Sequence, residues 1–497
     1  MRSAAPTVET PGHRSPTPTP TPTPKPEWQM PAPPAQSSRD SGQWTVQSWS
    51  QDTEQRPDSA QRPYVQQQEF PQYQGYAQQE AEAAPQPYVE DAEAESPKRK
   101  KRRGWLIALV VVVLLAGGAV AGQLLRPLPK PTVALTLPAA SHTFAGAKPS
   151  LAWPANGQSV IYVDGIGTMG AAGGSVPIPT ASVAKVMTAY VFLKSHPLQS
   201  GEDGPTYTVS QQAAARLPAQ KQRGESLLEV TAGQRLTERK ALEALMIISA
   251  NDVAHELARW DAGNPQAFVQ KMNAAAQELG MTSTRYTDPS GYQSTTVSTA
   301  ADQVKLLRAA MKIPAFAEIV NQRTFMPSDG GQPRTGGNIL LGQLGVVGGK
   351  TGYTDAAGGN FIFAARKRVG SVSTLIVGAV MGQRSPSAMG AIDAAKNLVA
   401  GAEQALVATT LAPAGTKVAE VDDGLGGITP LNAKTPLTVV GWAGLTVPVK
   451  LKATAPHEAA SGERLGTVSA GPAKAQLVLG TALDEPSITT RLTRLTD

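Results

Sequence analysis

Apolar and polar positions are organised differently in successive stretches of this chain. Up to about residue 97, aliphatic residues are too sparse to build a core. Residues 105–115 then form an unbroken apolar run. Residues 116–122 and 124–125 extend it to about 21 residues, broken late by Gln123, enough to cross a hydrocarbon core of about 30 Å as a helix. Residues from Arg126 to about 145 are rich in Pro and Ala and predict a spacer. A globular pattern begins near Pro149. A short strand is predicted over 159–163, and helical periodicity marks 183–193, 239–248, 253–260 and 267–279, with Thr237 an N-cap for the second of these. Two strand-like runs follow at 360–365 and 371–380, joined by a turn around Gly370, and then a helical stretch over 388–406. Beyond Pro413, Val, Thr, Leu and Gly dominate with few helix signals.

Strands at both ends of a helical region predict a mixed α/β domain whose sheet gathers distant segments. The organisation expected is a disordered Pro/Gln-rich tail over 1–103, a transmembrane helix over 104–125, a linker over 126–145, a mixed domain over 146–411 and a small β domain over 412–497.

Charge orients this arrangement. The net charge of +6 is modest for 497 residues, and part of it is concentrated in the basic run 98–103, so no general nucleic-acid surface is implied. Basic residues on the N-terminal side of the apolar run place that side in the cytoplasm and the rest of the chain outside. Ala119-Val120-Ala121 is also a small-x-small pattern, which leaves a cleaved signal peptide open; both alternatives export the C-terminal portion. The Thr-Pro repeat over 17–24 predicts an extended segment, either a solubilising tail or a docking and phosphorylation segment, with cytoplasmic partners unknown. No cysteine is present, which excludes disulfides, a thiol nucleophile and thiolate metal sites. The five histidines (His13, His142, His196, His255 and His457) are scattered without an HExxH pairing, so no metal site is expected.

Three short motifs carry chemistry. In Pro179-Thr180-Ala181-Ser182-Val183-Ala184-Lys185, residues three apart share a helix face, so Ser182 Oγ and Lys185 Nζ can approach each other. Pro179 and Thr180 stand where a helix begins, which puts Ser182 in the first turn, where unpaired N–H groups favour an oxyanion. A serine needs a base, and a lysine serves as one only when its pKa falls from about 10 toward neutrality. Ser249-Ala250-Asn251 lies between two helical runs, in a loop that aims a hydroxyl and a carboxamide into a cleft. Lys350-Thr351-Gly352 is expected to open a later strand and suits a carboxylate-bearing substrate that pairs as an extra strand.

SxxK, SxN and KTG, in this order and separated by roughly 67 and 101 residues, are the signatures of the penicillin-recognising serine enzymes. The segment around Ser182 resembles the nucleophile segment of low-molecular-mass D-alanyl-D-alanine carboxypeptidases, peptidase family S11. Residues 244–252, Met272-Asn273, 279–281, 288–291 and 349–358 also match, covering residues 150 to 400, and the whole resembles an actinobacterial, membrane-anchored member. The resemblance implies a serine β-lactamase/DD-peptidase-like α+β domain, an antiparallel sheet with helices on both sides, plus a small all-β domain. Family members commonly carry a C-terminal amphipathic anchor. The chain's last residues do not have this pattern, which implies an anchor at the N-terminal helix.

By this resemblance Ser182 attacks the penultimate D-Ala carbonyl of a peptidoglycan stem peptide and Lys185 takes its proton. Ser249 relays a proton to the leaving D-Ala, Asn251 positions the substrate backbone, and Lys350 and Thr351 bind the terminal carboxylate. Gly352 keeps the approach clear, and the N–H groups of Ser182 and Tyr353 form the oxyanion hole. No cofactor is needed, and β-lactams are expected to bind covalently. Asp288 and Asp302 are read as turn and helix caps. A class A β-lactamase would need Ser-Asp-Asn and a deacylating glutamate, but Glu278 and Glu318 are followed at the fourth position by Thr282 and Gln322 rather than Asn. A non-catalytic wall-binding protein has no need of both lysines. Carboxypeptidase and endopeptidase action use the same residues.

Overall fold

A computed structural model describes residues 101–494. The tail expected over 1–103 falls, up to residue 100, outside the described residues. Helix α1 (Lys101–Leu125) contains a 22-residue segment, Gly104–Leu125, long and apolar enough to cross a membrane. Its apolar side chains stand exposed, among the described residues, along most of the helix. Water would oppose that exposure and lipid would not.

Two short strands follow, β1 (Thr132–Leu135) and β2 (Ser141–Thr143). The central sheet has five strands: β3 (Gln158–Val163), β4 (Gly167–Ala172), β5 (Val346–Thr354), β6 (Gly358–Val369) and β7 (Val372–Gln383). All its pairings are antiparallel, in the order β5-β6-β7-β3-β4. Side chains alternate across it. Phe361, Phe363, Ile376 and Val380 face a core built with Ala391, Ala395, Leu398 and Val399 of helix α9 (Met389–Ala405). Ile362, Ala364, Val377 and Ala379 face the opposite core. Covering both faces explains why these antiparallel strands are hydrophobic at successive positions rather than at alternate ones.

The second core holds most of the helices: α2 (Lys185–Ser195), α3 (Gln211–Gln222), α4 (Glu238–Met246), α5 (Asn251–Ala262), α6 (Pro265–Glu278), α7 (Ala300–Ala310) and α8 (Pro314–Val320); α9 spans Met389–Ala405 on the far face. Helix α2 is apolar nearly all round and sits in the middle, its Val186, Met187, Ala189 and Phe192 fully buried. Thr237 caps α4 by accepting the N–H of Lys240 at 3.2 Å, as the sequence predicts. Strand β5 begins at Val346, so the Lys350-Thr351-Gly352 triplet lies inside the strand instead of opening it. Val346 is buried against Leu340 and Phe361 and extends the pairing backwards past a bulge.

The C-terminal sheet differs from expectation in one respect. Strands β8 (Lys417–Asp422), β9 (Ile428–Ala433), β10 (Thr446–Ala453), β11 (Arg464–Ala470) and β12 (Ala473–Leu479) form it, but β1 and β2 close its two edges, in the order β1-β8-β9-β12-β11-β10-β2. Residues 126–145, read from sequence as a linker, are therefore partly structured. Val133 and Leu135 pack against the core of Val418, Val421, Leu431 and Leu477. Pieces of three and four residues are too short to show a period of two. Trp442 and Val440 reach into the core beneath α9 and pack the two parts together. Helix α10 (Ile488–Thr493) returns to the end of α1, where Gln123 Nε2 donates to Arg494 O at 2.6 Å and the Arg494 guanidinium donates to Pro127 O at 2.8 Å.

Gly378 on β7 is paired with Phe363, whose ring lies across it; a Cβ there would stand 2.2 Å from the ring. Gly378→Ala is expected to lower stability by about 1–3 kcal/mol, the range for overpacking a tight core. Denaturant unfolding against the parent protein measures it, and an unchanged midpoint would contradict this account of the sheet.

Candidate active site

The nucleophile segment is held in a conformation that a free chain avoids. Ser182 lies in a short 3-10 turn, Ala181–Ala184, that leads directly into α2. Ala181 before it takes a positive φ of 47°, a left-handed backbone that costs a non-glycine residue about 1–3 kcal/mol unless its surroundings enforce it. Asn360, fully buried on β6, supplies that enforcement. Its Nδ2 donates to Pro179 O at 3.1 Å and Thr180 O at 2.9 Å, while its Oδ1 accepts from Gly382 N at 2.7 Å. The turn is thereby fastened to two strands of the sheet.

Strand β5 runs alongside. At Gly352 a Cβ would stand 2.9 Å from Ser182 N and 3.0 Å from Val183 N, so only glycine lets the strand backbone approach the nucleophile this closely. Ser249 occupies the loop between α4 and α5, also at a positive φ of 63°. Asn251 opens α5. The Asp252 carboxylate accepts the N–H groups of Leu228, Glu229 and Val230 at 2.8–3.1 Å, which ties the loop after α3 to the start of α5.

The sequence-predicted residues converge. Lys185 Nζ lies 2.9 Å from Ser182 Oγ, 2.5 Å from Asn251 Oδ1 and 2.8 Å from Ser290 O. Lys350 Nζ lies 3.1 Å from Ser249 Oγ and donates to Thr351 O at 2.9 Å. Ser182, Asn251 and Tyr353 line one cleft of about 450 Å³, and Lys350 and Thr351 line a small recess beside it.

Both lysines are fully desolvated, which disfavours the charged form. Burial brings Lys185 down to about 7, partly offset by the negative charges of Asp288, Glu225 and Asp252. Burial also holds Lys350 well below the usual lysine range, and the Lys185 charge adds to this. A neutral amine has two N–H bonds and one lone pair. At Lys185 the carbonyl of Ser290 and the amide oxygen of Asn251 can take both N–H bonds, leaving the lone pair for the Ser182 hydroxyl. That is the arrangement a general base needs.

Sequence motifs did not show several participants. Glu225, its side chain almost wholly buried, accepts from Asn251 Nδ2 at 2.7 Å and pairs with Arg223 at 2.5 Å, so it fixes which end of the Asn251 amide faces Lys185. Asp288, expected to cap a turn, accepts from Ser290 N, Ser290 Oγ, Tyr292 N and Thr296 Oγ1 and thereby aims the Ser290 carbonyl at Lys185. Asp302 accepts from Ser283 N and Thr284 Oγ1, remote from the cleft. Both polar atoms of the Asn338 side chain are buried without a partner among the described residues, in the recess shared with Lys350 and Thr351. Asp288 lies in the family-matching stretch 288–291 but was read there as a turn cap; Glu225 and Asn338 come from irregular loops and sit in no local pattern.

The peptidase S11 profile, described as D-alanyl-D-alanine carboxypeptidase, matches residues 171–383. D-alanyl-D-alanine carboxypeptidase DacB2 of Mycobacterium tuberculosis is 36% identical over 229 residues, 45% of this chain and 74% of that protein. This chain belongs to the D-alanyl-D-alanine carboxypeptidase family. A D-alanyl-D-alanine endopeptidase of Escherichia coli is 32% identical over 187 residues, 36% of this chain and 57% of its own length. The crystal structure of a D-alanyl-D-alanine carboxypeptidase from Mycobacterium tuberculosis H37Rv aligns with TM-score 0.43 and 30% identity, covering 52% of this chain and 96% of that one. Of the family segments named from sequence, those around Ser182, Asn251 and Tyr353 line the cleft, while Met272 and Asn273 lie on α6.

Three outcomes follow from this geometry. Lys185 serves as base only when neutral, so benzylpenicillin acylation should rise about tenfold per pH unit below about 7 and level off above it; a rate flat from pH 5 to 8 would exclude Lys185 as the base. Glu225→Gln removes a charge that raises the Lys185 pKa, so the midpoint of this profile should move to lower pH. Glu225→Ala, which also releases the Asn251 amide, should slow acylation roughly tenfold or more.

Proposed function

We propose that Ser182 is the acylated nucleophile of a membrane-anchored serine D-alanyl-D-alanine carboxypeptidase acting on peptidoglycan stem peptides. The observation that carries it is the buried Lys185 nitrogen, 2.9 Å from Ser182 Oγ with its other contacts already taken. Ser182 Oγ forms a bond to the penultimate D-Ala carbonyl carbon as Lys185 takes its proton. The resulting oxyanion sits against the N–H groups of Ser182 and Tyr353, each donor contributing roughly 3–4 kcal/mol. The C–N bond breaks when the leaving D-Ala nitrogen receives a proton through Ser249, whose hydroxyl rests on Lys350. Lys350, Thr351 and the unpartnered Asn338 amide receive the terminal carboxylate. Water, activated by Lys185, then hydrolyses the ester.

The anchor is α1, with the basic run on the cytoplasmic side and everything after Arg126 outside the membrane. The tail over 1–103 lies in the cytoplasm, the catalytic domain spans 146–411, and the β domain over 412–497 holds the cleft away from the bilayer. The contact between Arg494 and the end of α1 supports a β domain seated at the membrane surface.

Intact-mass measurement of the detergent-solubilised chain after benzylpenicillin tests the chemistry. One stable adduct, absent in Ser182→Ala, together with D-Ala release from diacetyl-L-lysyl-D-alanyl-D-alanine, is expected. Penicillin hydrolysed without an adduct would indicate a β-lactamase, and unchanged penicillin a non-catalytic binding protein. Cleavage of cross-linked stem dimers without D-Ala release would indicate an endopeptidase.

A further inference from the structure

We propose that the recess behind Arg223 and Tyr292 is a subsite for a carboxylate of the acyl-donor peptide, upstream of the scissile bond, with Arg216 as its cation. The proposal rests on the D-Ala-D-Ala reading of the cleft and names what part of the substrate the enzyme reads.

The recess has a volume of about 430 Å³, enough for one amino-acid residue with its side chain. It shares Arg223, Glu225 and Tyr292 with the cleft that holds Ser182, so the two cavities adjoin across these residues. Its far wall is built from the catalytic frame itself. Asp288, Pro289 and Ser290 line it, and the Ser290 carbonyl binds Lys185. His255 also lines it, one helical turn beyond Asn251 on α5.

Direction along the cleft places the donor peptide at this recess. The terminal carboxylate is assigned to the Lys350 and Thr351 end, in the small recess with Asn338. A substrate running past Ser182 along β5 then leaves by Thr354 and Asn251, toward Arg223 and Tyr292. The residues preceding D-Ala-D-Ala arrive there.

The polar groups in the recess ask for an anion. Asp288 is saturated by the hydrogen bonds of its own loop. Arg223 is committed to Glu225 and lies 5.6 Å from the Tyr292 ring centroid. Arg216, half-buried on α3, makes no hydrogen bond or ion pair among the described residues. Nδ1 of His255 is buried in the structure without a partner. Burial favours the neutral imidazole against the opposing charges of Asp288 and Glu225, with Arg216 and Lys185 adding to the effect of burial, so His255 presents one N–H rather than a second cation. One unpaired guanidinium, an imidazole N–H and the amide of Gln266 fit a monoanion with two oxygens.

Two carboxylates of a stem peptide could fill this place: the α-carboxylate of a γ-linked D-glutamyl residue, or a side-chain carboxylate on the diamino acid. The test measures kcat/KM for D-Ala release by the full chain in detergent. The four substrates are acetyl-γ-D-glutamyl and acetyl-D-isoglutaminyl peptides, each with L-lysyl or meso-diaminopimelyl before D-Ala-D-Ala. One carboxylate should raise kcat/KM about tenfold over its uncharged counterpart, the scale of one charge-assisted hydrogen bond, and the pair that differs identifies the source. Arg216→Lys should keep the preference, Arg216→Gln should reduce it below about twofold, and Arg216→Glu should reverse it, a gain that a misfolded protein cannot produce. Equal kcat/KM for all four peptides in the parent, or an undiminished preference in Arg216→Glu, would overturn the subsite and leave the carboxypeptidase reading intact. No D-Ala release from any peptide, together with no penicillin adduct, would take down both.

Discussion

Lys185 is buried completely, and three oxygen atoms from three separate parts of the chain surround its nitrogen: the nucleophile turn, the start of α5, and the 288–291 loop. Desolvation lowers the affinity of that nitrogen for a proton, and the nearby carboxylates keep it from falling too far. A lysine in water at neutral pH is an acid; here it is poised between acid and base. Most of the surrounding structure can be understood as what keeps water out and the three oxygens in. Asp252 ties down the loop that carries Glu225, Glu225 orients Asn251, and Asp288 orients Ser290.

Backbone strain is placed where it serves this arrangement. Ala181 and Ser249 both hold left-handed conformations, one next to Ser182 and the other at the serine that contacts Lys350. Such conformations persist only where surrounding contacts over-determine them. Asn360 does so for the nucleophile turn, and the sheet that carries Asn360 is packed on both faces. Rigidity therefore passes from two hydrophobic cores to one hydroxyl.

The candidate site residues were legible in the sequence because their geometry is partly local. Ser182 and Lys185 are three residues apart in a helical start, and that spacing alone brings the two groups within reach. The order of the three motifs then identified the family. Helices α2, α4, α5, α6 and α9 and the apolar runs at 360–365 and 371–380 were equally readable. Helix α3 was not. It is rich in Gln and Ala, buries only Ala213 and Gln220, and carries Pro218 in its interior, so neither period nor composition announces it. The edge strands β1 and β2 were missed because short strands gain their stability from neighbours far away in sequence.

The sequence by itself determined which chemistry is possible: a serine with a lysine on its face, a second lysine on a strand, an apolar helix long enough for a bilayer, and no thiols. Those properties follow from residue identity and near-neighbour spacing. Only the tertiary structure decided whether that chemistry can run. The lysine pKa depends on burial, which is a property of every segment that packs around it. The orientation of Asn251 depends on Glu225, and the Ser290 carbonyl is a backbone group that no residue type reveals. The recess with Arg216 and His255 likewise exists only because α3, α5 and the 288–293 loop meet there, at distances along the chain that no local pattern spans.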